Sequence, residues 1–354
     1  MSFELRKLED VCDILDHMRI PITSRDRKEG PYPYYGANGI QDYIDDFIFD
    51  DELVLLAEDG GNFGSKEKPI AYRISGKTWV NNHAHVLKPK NIIDVDYLCY
   101  SLMYYDVSGL LNGATRQKLT QSEMRKINIR YRSLEKQRQM VFKIKLISNI
   151  ISSREHQLSN LNLLVKSRFI EMFGDLISNT KGWKYTTLNE MCDVRDGTHD
   201  SPKAKEKGYP LLTSKNFSQG YIDFNNYYLI SEDDFELINK RSKVDKGDII
   251  MPMIGTIGSP VIVDTDIEFA IKNVALIKFT NNNVSNVFIQ KVLDSNYFKN
   301  VINQTNRGNT QKFISLRDIR NIKIPIVPIK EQNQFADFVA QVDKSKFVVT
   351  AKFQ

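Results

Sequence analysis

The amino-acid sequence predicts an α+β protein: two mixed α/β domains in tandem, separated by long antiparallel coiled-coil helices, with pseudo-two-fold symmetry between the halves. Three observations predict it. Short motifs recur in the same order at a nearly constant offset. The segments that carry them are aromatic and β-branched stretches broken by Gly, Pro and Asn. A long stretch with neither glycine nor proline joins the two copies.

The repeat decides the architecture. LEDVCDI, from Leu8 to Ile14, is matched 180 positions later by LNEMCDV, from Leu188 to Val194. Gln117-Lys118-Leu119 aligns with Gln311-Lys312-Phe313 at an offset of 194. One residue of slippage then aligns Met124, Ile127 and Ile129 with Ile319, Ile322 and Ile324. At that offset of 195, Gln137-Arg138-Gln139-Met140 aligns with Gln332-Asn333-Gln334-Phe335. Between these ends, Tyr32-Pro33 resembles Tyr209-Pro210. Shared order at a near-constant offset makes coincidence a poor explanation.

Each copy has a strand-rich part, 1–132 and 181–327, followed by a helix, 133–174 and 328–354. Segments 53–57, 248–253 and 274–279 read as strands, with turns at 59–62 and 255–258. No glycine or proline occurs from Ala114 to Phe173, and Gly174 stands where a helix C-terminal cap belongs. Met140, Ile144, Ile147, Ile151, Leu158, Leu161, Val165 and Met172 fall on alternating steps of three and four, the a/d seam of a coiled coil. Arg154 and Arg168 interrupt that seam. A helix of roughly 38 residues at 1.5 Å per residue runs about 57 Å, more than one small domain covers, so it needs a partner helix. The second copy supplies one from about Ile329. Equal repeats would carry that helix about two heptads past residue 354, which leaves open a truncation or a genuinely short second helix.

Composition excludes several classes. The chain has 354 residues, 41% hydrophobic and 26% charged, the balance of a soluble globular protein of two domains. No apolar run approaches a membrane span, and MSFELRKLED has no signal-peptide core, so the expected location is the cytoplasm with no membrane partner. Cys12, Cys99 and Cys192 lie too far apart for a disulfide framework or a Cys-based zinc site. A net charge of +5 permits a polyanionic partner without demanding one.

Catalytic machinery is hard to find. There is no Gly-rich cofactor turn with an Asn/Asp-Pro-Pro-aromatic motif, and no G-x-x-x-x-G-K-[ST] phosphate loop. His83 and His85 would share a strand face, as zinc ligands do, but no third ligand is recognisable, so no metal is expected. DGTHDSP, Asp196 to Pro202, admits a nuclease reading with Asp196 and Asp200 as Mg²⁺ ligands and His199 as base. No Glu-x-Lys follows it, and the first copy has no counterpart, which favours a recognition loop or structural turn, with Thr198 and His199 as the DNA-binding candidates in it.

Base and phosphate recognition uses Arg, Lys, Asn, Gln and Thr. Arg116, Gln117 and Lys118 follow Gly113, and Arg307, Asn309, Thr310, Gln311 and Lys312 stand in the equivalent place. Lys203 and Lys205 lie behind the DGTHDSP loop, and Lys215 and Asn216 follow Thr213. Equivalent clusters in both repeats point to double-stranded DNA as the partner. An enzyme (a Mg-dependent nuclease) and a purely protein-binding adaptor are the competing classes.

With the repeat laid out, TQKFISLRDIRNIKIPIVP followed by KEQ, together with DGTHDSP and the tandem plan, resembles the target-recognition domains and helices of the specificity subunits of Type I restriction-modification enzymes. The N-terminal copy matches more loosely, because IRYRSLEKQ lacks the prolines of IPIVPIKEQ. The resemblance implies a non-catalytic subunit that reads a split, asymmetric DNA site, one half per domain. It implies two modification (methyltransferase) subunits docked on the helices, with Ile144, Ile147, Ile151, Leu158, Leu161 and Val165 at the subunit interface. Restriction subunits would add translocation and cleavage. S-adenosylmethionine, ATP and Mg would then belong to the partners, and none to this chain.

Overall fold

The computed structural model describes residues 4–113, 116–218, 220–254, 257–280, 283–305 and 313–351. The chain forms two compact units, Met1–Ser152 and Ser153–Gln354. In the first, β1 (Glu4–Lys7), α1 (Leu8–Val11), β2 (Cys12–Ile14), β3 (Glu29–Gly36), β4 (Gly39–Ile44), β5 (Phe49–Asp50), β6 (Leu53–Ala57), β7 (Ala71–Ile74), β8 (Lys77–Val80) and β9 (Ala84–Pro89) precede α2 (Val95–Leu102). Then come β10 (Leu111–Asn112), β11 (Lys118–Leu119), α3 (Gln121–Met124), β12 (Asn128–Tyr131) and the long α4 (Leu134–Phe173).

The second unit holds β13 (Tyr185–Thr187), α5 (Leu188–Met191), β14 (Asp193–Asp196), β15 (Tyr209–Thr213), β16 (Tyr228–Ile230), α6 (Glu232–Ser242) and β17 (Ile249–Pro252). After these follow β18 (Val261–Ile262), β19 (Ala270–Lys272), β20 (Val274–Lys278), α7 (Asn286–Leu293), α8 (Asn296–Thr305), α9 (Leu316–Arg320), β21 (Lys323–Pro325) and α10 (Ile329–Ala351).

The predicted repeat is present in the order of the sheets, although β5 and the short β10–β11 pair have no strand counterpart among the described residues of the second unit. The central sheet is ordered β2-β9-β6-β7 in the first unit and β14-β20-β17-β18 in the second. A second sheet follows the same plan, β4-β3-β8-β5 against β16-β15-β19, with β3–β8 and β15–β19 both parallel. The clasps β1–β12 and β13–β21 tie the start of each copy to its end. Leu53–Ala57 is buried at all five positions because both faces of β6 are covered. Successive side chains of a strand point to opposite faces. Val54 and Leu56 therefore join the core with Leu98 and Leu102 of α2, while Leu53 and Leu55 join the other with Val80 and Ile74. Ile249, Met251 and Ile250 divide in the same way in the second unit.

α4 ends as its sequence predicts. Gly174 takes φ +79°, its N–H donates to Ile170 O at 2.8 Å, and Trp183 Nε1 donates to Phe173 O at 2.8 Å. Below this cap α10 packs antiparallel to α4. Phe335 meets Phe169 and Phe173 at ring separations of 5.5 and 5.4 Å, and further along α10 Phe338 lies under Arg168, earlier in α4.

The seam needs correction. Val165 is buried and Leu161 packs on the second unit's core, but Ile144 and Leu158 are only half-buried, and Ile147 and Ile151 are exposed. Buried instead are Gln137 and Val141 near the start, and Phe169 and Phe173 near the end. An α-helix turns 3.6 residues at a time, so a 3.5-residue stripe drifts around a straight helix by about 20° per heptad. Over forty residues the buried face changes, and the middle of the expected seam comes out on the surface. The cysteines are free and buried, and burial pushes the Cys12 and Cys192 thiols up to about 12.

Candidate nucleic-acid interface

One end of the central sheet gathers the exposed polar residues in each unit. In the first, Ala57 at the end of β6 pairs with Ala84 at the start of β9, and in the second, Pro252 pairs with Val274 in the same way. Lys118 and Leu119 in the first unit, and Phe313 and Ile314 in the second, then lie across this end. Leu119 N donates to Glu58 O at 2.7 Å, and Ile314 N donates to Met253 O at 3.0 Å. Asp59 bridges Lys118, and Ile254 bridges Phe313. Lys118 is therefore the counterpart of Phe313, at the offset of 195. The identity-based match of Gln117-Lys118-Leu119 to Gln311-Lys312-Phe313 is one residue out of register, because strand pairing rather than side-chain identity sets equivalence.

In the first unit Asp59 Oδ1 receives His83 Nδ1 at 2.6 Å and Arg116 Nη2 at 2.8 Å. Gln117 is exposed, and Lys118 Nζ pairs with Glu58 Oε1 at 2.8 Å. Glu58 is the surface edge of a buried network. His85 Nδ1 meets Asp16 Oδ2 at 2.6 Å, His85 Nε2 donates to Leu119 O at 2.8 Å, and Arg19 Nη1 meets Glu58 Oε2 at 2.5 Å. Burial pushes the Asp16 and Glu58 carboxyls up. The bonds from His85, Val86 N–H and Gln121 to Asp16, and from Lys118 and Arg19 to Glu58, outweigh it and hold both below their ordinary values.

The ligand atoms of Asp16, Glu58 and His85 lie within 4.8 Å of one another, the spacing of a metal site. Each is already engaged by a cation, an amide or a carbonyl, so the group is built as an ion-pair network. His83 and His85, paired in sequence, take separate partners. Asp16 and Glu58 are distant in sequence, which is why neither was visible as a companion of His85.

In the second unit the DGTHDSP loop leaves the end of β14. Asp196 carries two partners: Arg241 on Oδ1 and His199 Nε2 on Oδ2 at 3.0 Å, while His199 Nδ1 meets Asn273 Oδ1 at 2.9 Å. Thr198 N donates to Ile271 O at 3.0 Å, and Asn273 N donates to Thr198 O at 3.1 Å, which pins the loop along β19. Gly197 lies so close to Ile271 O that no Cβ fits there. Thr198 bridges Lys272, and Lys272 pairs with Thr213, so the two separated segments 196–202 and 213–216 meet across one residue. The nuclease reading needs Asp196 and Asp200 free for Mg²⁺. Asp196 is committed to Arg241 and His199 instead.

Lys203 and Lys215 are exposed and have no side-chain partner among the described residues. Asn216 is a correction. It is 2% exposed, its Oδ1 accepts from Thr213 N–H, and its Nδ2 donates to Asp223 O and Asn226 O. A side chain spending its amide on three backbone groups shapes the loop rather than reaching a base edge. Arg307, Asn309, Thr310, Gln311 and Lys312 lie outside the described residues. The sequence did not single out Asp59, Arg241, Lys272 or Asn273 for this surface. Only their meeting at a sheet end reveals them, and no spacing in the sequence carries that signal.

Comparison with known proteins bears on this surface. The family model for the Type I restriction modification DNA specificity domain matches twice, at residues 2–163 and 180–352. A type I restriction enzyme specificity subunit of Haemophilus influenzae is 28% identical over 349 residues, covering 95% of this chain and 86% of that one. The MjaVIII specificity subunit of Methanocaldococcus jannaschii is 24% identical, covering 97% and 86%. The crystal structure of the Type I restriction-modification S subunit from M. genitalium shares the fold, with a TM-score of 0.64 at 14% identity over 99% of this chain and 92% of that one. Two copies of one module, matched over nearly the whole length, place this chain in the family of Type I restriction-modification DNA specificity proteins.

Proposed function

We propose that this chain is the non-catalytic specificity subunit of a Type I restriction-modification complex. It reads an asymmetric, bipartite site on double-stranded DNA, one half-site per unit, and scaffolds two modification subunits and the restriction subunits. The supporting observation is the duplicated sheet end, with exposed Arg, His and Lys side chains gathered at the same place in both units but drawn from different residues. Two such surfaces on one chain suit two half-sites around an unread gap, and different side chains suit different half-sites.

Adenine methylation requires the base to leave the stack, which falls to a partner's pocket. S-adenosylmethionine, ATP and Mg would serve those partners, and this chain would need no cofactor of its own. No described helix is long and apolar enough to cross a membrane, which agrees with work on cytoplasmic DNA. Ile147 and Ile151 are exposed on α4, which leaves them free to meet a modification subunit.

The test is to reconstitute the chain with the methyltransferase encoded beside it and map methylated adenines on random DNA. A split motif with two defined halves and a fixed gap is the expected result. Methylation at an ungapped motif, or failure to form a complex, overturns the proposal.

A further inference from the structure

The carboxylates at the two sheet ends hold similar company without being equivalent residues. Asp59 follows β6, takes Arg116 from the segment after β10, and takes His83 from the residue before β9. Asp196 ends β14, takes Arg241 from α6, and takes His199 from its own loop. In the second unit Asn273 stands immediately before β20, where His83 stands before β9, and it holds His199. Duplication of the module does not explain this likeness, because the carboxylate, the arginine and the histidine all come from different places.

Stability does not explain it either. Exposed ion pairs contribute about 0–1 kcal/mol. The arginines are each 65% exposed, whereas the Asp59 and Asp196 side chains are only 14% and 9% exposed. Each carboxylate is thus shielded behind the cation it holds. One nitrogen of each guanidinium is engaged at the carboxylate, and the remaining N–H donors of its fork have no other partner among the described residues. His83 uses only Nδ1, leaving Nε2 without a partner among the described residues.

We infer that Asp59 and Asp196 are positioning residues, which hold two phosphodiester-binding groups, Arg116 with His83 in one unit and Arg241 in the other, one for each half of a duplex DNA site, with His199, both of whose ring nitrogens are engaged, bracing Asp196 rather than touching phosphate. The inference rests on the DNA-reading function proposed above. It adds Arg241 and His83 as DNA-contacting side chains and gives the two carboxylates a role opposite to that expected of negative charge near DNA. A carboxylate acting only through its charge repels phosphate. One acting by orientation improves binding despite its charge, because an arginine already held in place loses less freedom when it meets the phosphate.

The experiment uses the complex reconstituted with its methyltransferase and a duplex bearing the mapped site, with affinity measured across a salt series. Arg116→Gln and Arg241→Gln should each flatten the slope of log K against log salt by about 1, the signature of one lost phosphate contact. Arg241→Lys should restore the slope. Asp196→Asn and Asp59→Asn should weaken binding several-fold although each adds a unit of positive charge. Two results overturn the inference: slopes unchanged in both arginine variants, or tighter binding in both Asp→Asn variants. Arg241→Gln changes an exposed side chain, so a folding defect at Asp196→Asn does not blunt the test. A wild-type complex with no salt-dependent DNA binding sinks the DNA-reading function itself, a result distinct from flat slopes in the variants alone.

Discussion

Gln137 and Gln332 perform the same task in the two units. Gln137 Oε1 accepts from the N–H of Asp94, the N-cap of α2, at 2.8 Å, and its Nε2 donates to Arg132 O at 2.7 Å. Gln332 Oε1 accepts from the N–H of Ser285, the N-cap of α7, at 2.9 Å, and its Nε2 donates to Val327 O at 2.8 Å. Both side chains are fully buried. Each long helix is therefore fastened, one turn after it starts, to the helix that covers its unit's central sheet.

Replacing Gln332 by Leu leaves the Ser285 N–H and the Val327 carbonyl buried without partners. Each orphaned group costs about 1–3 kcal/mol, so the variant should lose about 2–6 kcal/mol in urea unfolding. Gln137→Leu should do the same to the first unit. Hydrogen exchange should then show faster exchange at α7 for the Gln332 variant and at α2 for the Gln137 variant. Equal protection in both variants would count against the clamp.

Acid should destabilise the first unit through Asp16 and Glu58. Burial raises both carboxyls, yet their hydrogen bonds and neighbouring cations hold them below the ordinary values of 3.8 and 4.5. A carboxyl with a lowered folded value stabilises the fold above its unfolded value and loses that contribution as pH falls through the folded value. The urea midpoint should accordingly fall as pH drops below about 4, and Asp16→Asn should flatten that dependence. Identical pH profiles would remove the network from the account.

The aromatic contact between α4 and α10 should carry the second unit's stability. Phe335 is fully buried against Phe169 and Phe173, so Phe335→Ala should cost about 3–5 kcal/mol. The double change Ile147→Ser and Ile151→Ser, at exposed positions, should leave the melting temperature within a degree or two while weakening capture of the modification subunit. A large loss of stability in the double variant would mean that this face is already covered within the chain.

Asn216→Ala should disturb the loop it organises. Three part-buried backbone partners lose their side-chain bond, at about 0.5–1.5 kcal/mol each where water can replace it. DNA affinity should fall through disorder of residues 213–226, with the salt slope unchanged. A slope flattened by about 1 would instead make Asn216 part of a phosphate contact.

Repetition, helix ends and strand patterning were legible in the sequence because each is a local property. Gly174 ends α4 through a backbone conformation that glycine adopts freely. The offset of 195 aligns Gln137 with Gln332, and the same Gln residues make equivalent bonds. The resemblance of 310–328 to a known family reads directly from the letters. What tertiary structure alone decided is which residues meet. Asp59, His83 and Arg116 come together only because the end of β6 lies beside the start of β9 and Lys118 of β11 bridges Asp59, and Asp196 with Arg241 only because α6 lies beside β14. The face of α4 that becomes buried was likewise settled by the two cores it borders, since a regular seam drifts around a helix of this length while each core takes the side chains that face it.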